Sequence, residues 1–267
     1  MTASSSRPGP NAPRALALLG AAVAALTLGA CGVAYLEIPI ETPITPKLDV
    51  SPFQRVLVVG FVAGGSDEID TNLETVRLLR SQLRSKTSLT VIDADVSVLM
   101  DVAQEQAKPT DGAEAAAPEA LPKQIKEQKD LEPYERLFAN TAYWKKLGEE
   151  YQNPLIVTGT VLFAPKTTSG FVQRDQERFD GLGRRTVVPV RAFIERKGFT
   201  LEPKFIFIDG RSGTTMYSER FSETDLHDAM QQTPALSSYF ELMDRLVPNF
   251  LSTLSNQKVK GSRVLLN

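Results

Sequence analysis

One cysteine, Cys31, stands in these 267 residues, so no disulfide can form within the chain and a hydrophobic core has to carry the fold. That cysteine also closes the longest apolar run. Arg7 and Arg14 precede the run, and Ala15 to Leu28 (ALALLGAAVAALTL) is almost free of polar side chains before Gly29, Ala30 and Cys31 follow. Spanning a bilayer takes about 20 apolar residues, more than this Ala- and Gly-rich stretch supplies. No second run approaches that length. A positive start, a short apolar middle and small residues at its end are the layout of a cleaved export signal. The remainder of the chain is expected to fold in water.

Leu28, Gly29, Ala30 and Cys31 together resemble the lipobox of bacterial lipoproteins. The resemblance implies a signal peptide over residues 1–30, cleavage just before Cys31, and diacylglycerol on its thiol. A transmembrane anchor and a plain secretory signal with a chance cysteine are the competing readings; the short run and the placement of the lone Cys favour lipid. Each buried acyl methylene contributes about 0.8 kcal/mol, and two or more chains anchor stably. In lipoproteins of double-membrane bacteria an Asp after the Cys favours inner-membrane retention. This chain has Gly32, so the resemblance points to the outer membrane, facing the periplasm.

Removing the signal leaves about 237 residues, with a formal net charge of −2 for the whole chain and a pI near 5.7. That balance shows no basic excess of the kind nucleic acid selects. Residues 31–52 hold Pro39, Pro43, Pro46 and Pro52, a density that favours extended backbone, and are expected to form a Pro-rich tether. Its apolar members, Tyr35, Leu36, Ile38, Ile40 and Ile44, suit packing along the domain or a neighbour.

Residues 53–267 are expected to form a single α/β domain, a mixed β-sheet with flanking helices. Arg55–Val62 has the unbroken apolar character of a strand buried on both faces. Thr71-Asn-Leu-Glu74 matches a capping box ahead of a helix carrying Leu73, Val76, Leu79 and Leu83, and Leu89–Asp93 is a second, parallel strand. A short helix over 96–104 leads to a low-complexity insertion, 105–129, poor in core-forming side chains. A helix over 131–151 and a strand over 154–163 follow. After a polar stretch, 166–185, the pattern predicts a hairpin of 186–196 and 199–208 turning at Lys197-Gly198, then a tight turn at Asp209-Gly-Arg-Ser-Gly213 and a strand over 214–221. Leu236, Phe240, Met243, Val247, Phe250 and Leu254 make an amphipathic stripe in which Pro248 should kink the helix or part it in two. Residues 263–266 read as a short closing strand.

The strand "RVLVVGF", the strand "PLIVTGTV" and the segment "FIFIDGRSGTTMYSERF" resemble the domain shared by the curli-secretion CsgG family, the LpoB lipoproteins and the N-terminal domain of TolB. The likeness spans roughly residues 53–254 apart from the insertion. It implies a CsgG/TolB-N-like fold and work done in cell-envelope assembly or transport.

Little in the chain suggests catalysis. His227 is the only histidine, within Asp225-Leu-His-Asp228 and ahead of a predicted helix, where surface histidines are common. Gly159 within a strand suits a bend or close backbone approach. The 209–213 loop lacks the ligand pattern of a calcium site. Gly181-Leu-Gly183 beside Arg184 and Arg185 has no strand-to-helix context for an anion site. No enzyme, no metal site, no catalytic residue and no cofactor beyond lipid on Cys31 are therefore expected. The expected role is a non-catalytic protein-interaction module that binds another envelope protein or itself, with no nucleic acid and no small-molecule substrate. The alternative is a subunit of a CsgG-like oligomeric outer-membrane secretion channel. For that alternative, Val188, Val190, Ala192 and Ile194 form one apolar face of the predicted 186–208 hairpin.

Overall fold

The computed structural model describes residues 35–107, 121–122, 124–228, 230–231, 233–255 and 257–266, which divide into two units. In the first, β1 (Tyr35–Ile44) pairs with β8 (Gln257–Leu266) in a two-stranded sheet. The stretch expected to be tether therefore includes a paired strand. Its last part belongs to the second unit, where Leu48 and Phe53 are buried and the Leu48 N–H donates to the Thr253 carbonyl at 3.0 Å.

The second unit is built on β2 (Arg55–Gly65), β3 (Thr90–Val91), β4 (Leu155–Phe179), β5 (Arg185–Asp209), β6 (Thr215–Arg220) and β7 (Glu223–Asp228). The sheet order is β3-β2-β4-β5-β6, with β7 on the same flank of β5 as a further partner. β2 runs parallel to β3 and β4, and β5 runs antiparallel to β4, β6 and β7, so the sheet is mixed.

Both faces of β2 are covered. Val56, Val58 and Phe61 pack toward α1 (Thr71–Lys86) and α5 (Ala235–Leu254). Leu57, Val59 and Val62 pack toward α2 (Leu99–Gln106), a 3₁₀ turn (Gln128–Tyr134), α3 (Glu135–Ala139) and α4 (Thr141–Glu150). The change from even to odd positions follows from a β-bulge: Val58 pairs with Val157 and Gly60 with Thr158, leaving Val59 as the extra residue. This is an α/β fold with helices on both faces of the sheet, as the sequence pattern predicts.

Asp70 caps α1, its carboxylate accepting from the Leu73 N–H at 2.9 Å, one residue before the Thr71 cap expected. Thr75, Val76, Leu79 and Leu83 recur on its buried face, and the Thr75 hydroxyl meets the buried Tyr239 hydroxyl of α5 at 2.7 Å. α5 runs unbroken through Pro248. Pro248 and Asp244 both lie on the exposed side, so the backbone bond that proline deletes is open to water. Phe250, on the buried side, stacks between Phe205 and Phe207 of β5, with ring centroids at 4.8 and 5.8 Å.

Further expectations are corrected. The 131–151 helix is three pieces, broken at Asn140, whose side chain caps α4 by accepting from the Tyr143 N–H. The second strand shrinks to Thr90–Val91, and the following helix starts at Leu99. The 105–129 insertion contributes a core residue, since Ile125 is buried against Gly64 and its carbonyl accepts the Gly65 N–H at 2.8 Å; most of the remaining insertion lies outside the described residues. Lys197-Gly198 is no turn at all. β5 passes straight through it, pairing Lys197 with His227 and Gly198 with Leu226. A Cβ on Gly198 would lie 1.9 Å from the Asp225 carbonyl, so this glycine is there to let β7 approach, not to reverse the chain.

Candidate functional site: an exposed two-stranded arm

The reversal comes sixteen residues earlier in β5's direction of approach, and it converts the predicted polar stretch into the partner strand. β4 and β5 pair in unbroken register from Leu155 with Asp209 to Phe179 with Arg185. Their inner halves are core: Leu155–Phe163 and Thr200–Ile208 carry most of the buried strand residues. Their outer halves leave the sheet. β2 accompanies β4 only as far as Phe163, and β7 accompanies β5 only as far as Arg196. Beyond those points both backbone edges of the hairpin are unpaired among the described residues. At about 3.3 Å per residue, the fifteen pairs outside Ala164 project roughly 50 Å.

Asp180 builds the tip. Its Oδ1 accepts from the Leu182 N–H at 2.9 Å and the Arg184 N–H at 2.8 Å, its Oδ2 from Arg184 Nε at 2.8 Å, and Gly183 supplies the positive φ of 75°. The Arg184 backbone N–H, ahead of the other donors, holds the Asp180 carboxyl below its usual range. The glycines and arginines here thus serve an internal carboxylate rather than an external anion.

Side chains on the arm sort by face. One face sets Val188, Val190, Ala192 and Ile194 of β5 beside Gln176, Arg174, Val172 and Gly170 of β4. The other carries the cross-strand pair Phe171 and Phe193, edge to face at 5.4 Å, with Gln173 opposite Arg191, Asp175 opposite Pro189 and Glu177 opposite Val187. Phe171 is 74% exposed, Phe193 61%, Phe179 68% and Leu182 79%. A membrane strand needs an apolar face over about 9–11 residues; both faces of this hairpin place charge or amide within that span. In place of the predicted 199–208 strand, β4 is the partner of 186–196, and Leu201, Phe205 and Phe207 of the 199–208 stretch are buried in the core. Between Pro165 and Phe199 eight Lys and Arg oppose four Asp and Glu, so the arm is basic in a chain of net charge −2.

His227 lies on β7, with α5 the next element in the chain. Its Nε2 is 2.8 Å from Asp225 Oδ2, while Arg245 Nη2 of α5 donates to Asp225 Oδ1 at 3.3 Å and to Glu241 Oε1 at 2.7 Å. Ligand atoms of Asp225, His227 and Glu241 all fall within 4.8 Å of one another, the types that hold a divalent cation. Arg245 already supplies the positive charge the two carboxylates require, and the cluster ties β7 to α5 at the root of the arm.

A cleft of about 490 Å³ opens at the carboxyl end of β2, lined in part by Gly64, Gly65, Ser66, Asp67, Asp70 and Lys126. Asp70 caps α1 and Asp67 adds a second carboxylate against the single Lys126, a charge balance unfavourable to phosphate. The 209–213 loop is the tight turn expected, with the Gly213 N–H donating to the Asp209 carbonyl at 2.7 Å. Gly159 serves close approach: a Cβ there would stand 1.8 Å from the Lys204 carbonyl. Leu28, Gly29, Ala30 and Cys31 lie outside the described residues. No described helix is long and apolar enough to cross a membrane.

No family model matches the sequence, and no curated protein matches it. Among solved structures, the chain is similar to lipoprotein GNA1162 of Neisseria meningitidis at 13% identity and TM-score 0.34, over 74% of this chain and 97% of that one. It is also similar to a neuraminyllactose-binding hemagglutinin homolog of Helicobacter pylori at 10% identity and TM-score 0.32, over 80% and 90%. The fold assignment rests on this chain's own strand order and register.

Sequence reasoning missed the arm because alternation along 166–179 is polar on both faces. The signal that marks it is length. Two stretches of similar length flank Asp180-Gly-Leu-Gly, a loop with the Asp and Gly that a hairpin turn uses.

Proposed function

We propose that this is a lipid-anchored protein of the bacterial envelope, held at the outer membrane through Cys31 and facing the periplasm, that works without catalysis by protein contact through the β4–β5 arm. The lipobox pattern supports the anchor. The arm supports the contact: two unpaired backbone edges and exposed phenylalanines on a basic ribbon are a template for strand addition to another sheet. Its positive charge favours an acidic partner surface and makes association weaken with salt.

The second reading, a ring of copies joined arm to arm as a CsgG-like channel, is favoured by the two open edges and opposed by Arg174, Asp175, Glu177 and Arg191 on the faces that lipid would meet. Light scattering of the detergent-extracted chain separates the two. A closed multimer of several subunits that dissociates when the arm is removed supports the channel. A monomer or dimer leaves the arm to a different protein, captured by crosslinking at Phe171 and Phe193. Loss of palmitate labelling in Cys31→Ala tests the anchor; undiminished labelling refutes it.

A further inference from the structure

At the opposite end of the sheet from the arm, a cup of about 320 Å³ is lined by Pro52, Gln54, Arg55, Gln152, Asn153 and Arg211. Arg55 opens β2, Arg211 sits in the β5–β6 turn, and the two amides follow α4. Among the described residues no carboxylate lines the cup, although two guanidinium groups do. The manner in which they are held is the informative part. Arg55 Nη1 donates to Gln152 Oε1, and Arg211 Nη2 donates to the Pro52 carbonyl at 2.8 Å with its guanidinium carbon 5.6 Å from the centre of the Phe53 ring. Both acceptors are neutral. They orient the two groups without cancelling their charge, and a guanidinium with five N–H donors has several left to give. Other arginines of this unit do take carboxylate partners, Arg77 with Glu74 and Arg245 with Asp225 and Glu241. The acid in the same turn, Asp209, spends Oδ1 on the Arg211 backbone N–H at 2.9 Å and does not line the cup.

The residue holding Arg55 occupies an unusual place. α4 ends in a Schellman pattern, with the Asn153 N–H donating to the Gly148 carbonyl at 2.7 Å and the Gln152 N–H to the Glu149 carbonyl at 3.4 Å. That pattern places Gln152 at a φ of 64°, a left-handed position that glycine fills without steric penalty. Here a side chain is kept at the strained position, and its amide oxygen accepts from Arg55.

We propose that Arg55 and Arg211 form a binding site for a phosphate-type anion, with Gln152 as the positioning residue for Arg55. Planar, charged, bidentate donors suit tetrahedral phosphate oxygens. Two sources share this chemistry, free phosphate and the phosphodiester of a lipid headgroup.

The test uses the full chain in neutral detergent and follows the ³¹P linewidth of inorganic phosphate. The expected result is saturable broadening whose affinity falls at least tenfold in Arg55→Gln or Arg211→Gln and severalfold in Gln152→Gly, which suits the backbone there and so keeps the fold. Arg191→Gln on the arm removes the same charge and leaves affinity unchanged. Competition by glycerophosphoglycerol at equal or lower concentration identifies the headgroup as the ligand; binding of inorganic phosphate alone identifies the free ion. Absence of saturable broadening, or equal weakening in Arg191→Gln, overturns the site.

Discussion

Excising the arm separates its role from that of the core. Thr168 and Arg196 face each other in register, so residues 169–195 can be removed and the two strands joined by Asn-Gly, a two-residue hairpin loop. Every residue from Pro165 to Val187 is exposed, and Val188, Val190, Ala192 and Ile194 are only half-buried. An isolated two-stranded hairpin is at best marginally stable in water, so its removal takes little from the fold. The shortened chain should therefore unfold within about 1 kcal/mol of the native one, a shift of roughly 2–4 °C for a domain of this size. Thermal melting by circular dichroism measures that shift, and light scattering on the same samples measures association. A melting point lower by more than about 10 °C would mean the arm belongs to the cooperative core. Unchanged self-association would refute arm-to-arm assembly, and unchanged crosslinking to a second envelope protein would refute the arm as the contact surface.

Three more outcomes follow from the geometry. Gly198→Ala drives a methyl group into the Asp225 carbonyl, 1.9 Å from its Cβ; it should part β7 from β5, lower stability by about 2 kcal/mol or more, and speed amide exchange at Leu226 and His227, read by mass spectrometry. Phe250→Ala removes a fully buried ring from between Phe205 and Phe207 and should cost about 3–5 kcal/mol in urea unfolding. The tip is pH-dependent in a defined direction: because native Asp180 titrates below its unfolded value, its contribution is complete above about pH 4 and fades as pH falls through the lowered native value. Amide resonances of Leu182 and Gly183 should hold from pH 7 to about 5 and lose their native shifts in stronger acid; constancy in strong acid would remove the carboxylate from the turn.

The sheet and its helices were legible because burial on both faces leaves an unbroken apolar record, as in Arg55–Val62 and Leu155–Phe163, and because α1 and α5 repeat apolar residues on one side. The arm was legible only in part. A strand exposed on both faces has no reason to alternate, so 166–179 carries no periodic signal, and the 186–208 stretch was matched to itself through Gly198. That glycine answers to β7, a contact from 27 residues away in sequence that no local pattern encodes. The Arg55–Arg211 cup escaped for the same reason, since its residues come from three loops brought together by the sheet. The proposed lipidation rests instead on four adjacent residues, Leu28, Gly29, Ala30 and Cys31, a pattern that needs no fold to be recognised.

β5 is a single strand of 25 residues, and this gives the arm a mechanical character. A slip by one residue would turn Leu201, Phe205 and Phe207 from the α5 side of the sheet to the other, so the strand is locked lengthwise by its core half. Load applied at Phe179 or Leu182 therefore cannot be relieved by sliding. It arrives as bending near Arg196–Leu201, where β7 braces one edge and the Asp225–Arg245 contact ties that brace to α5. The arm is a cantilever clamped at its root, and whatever grips the tip also strains the helix behind the clamp.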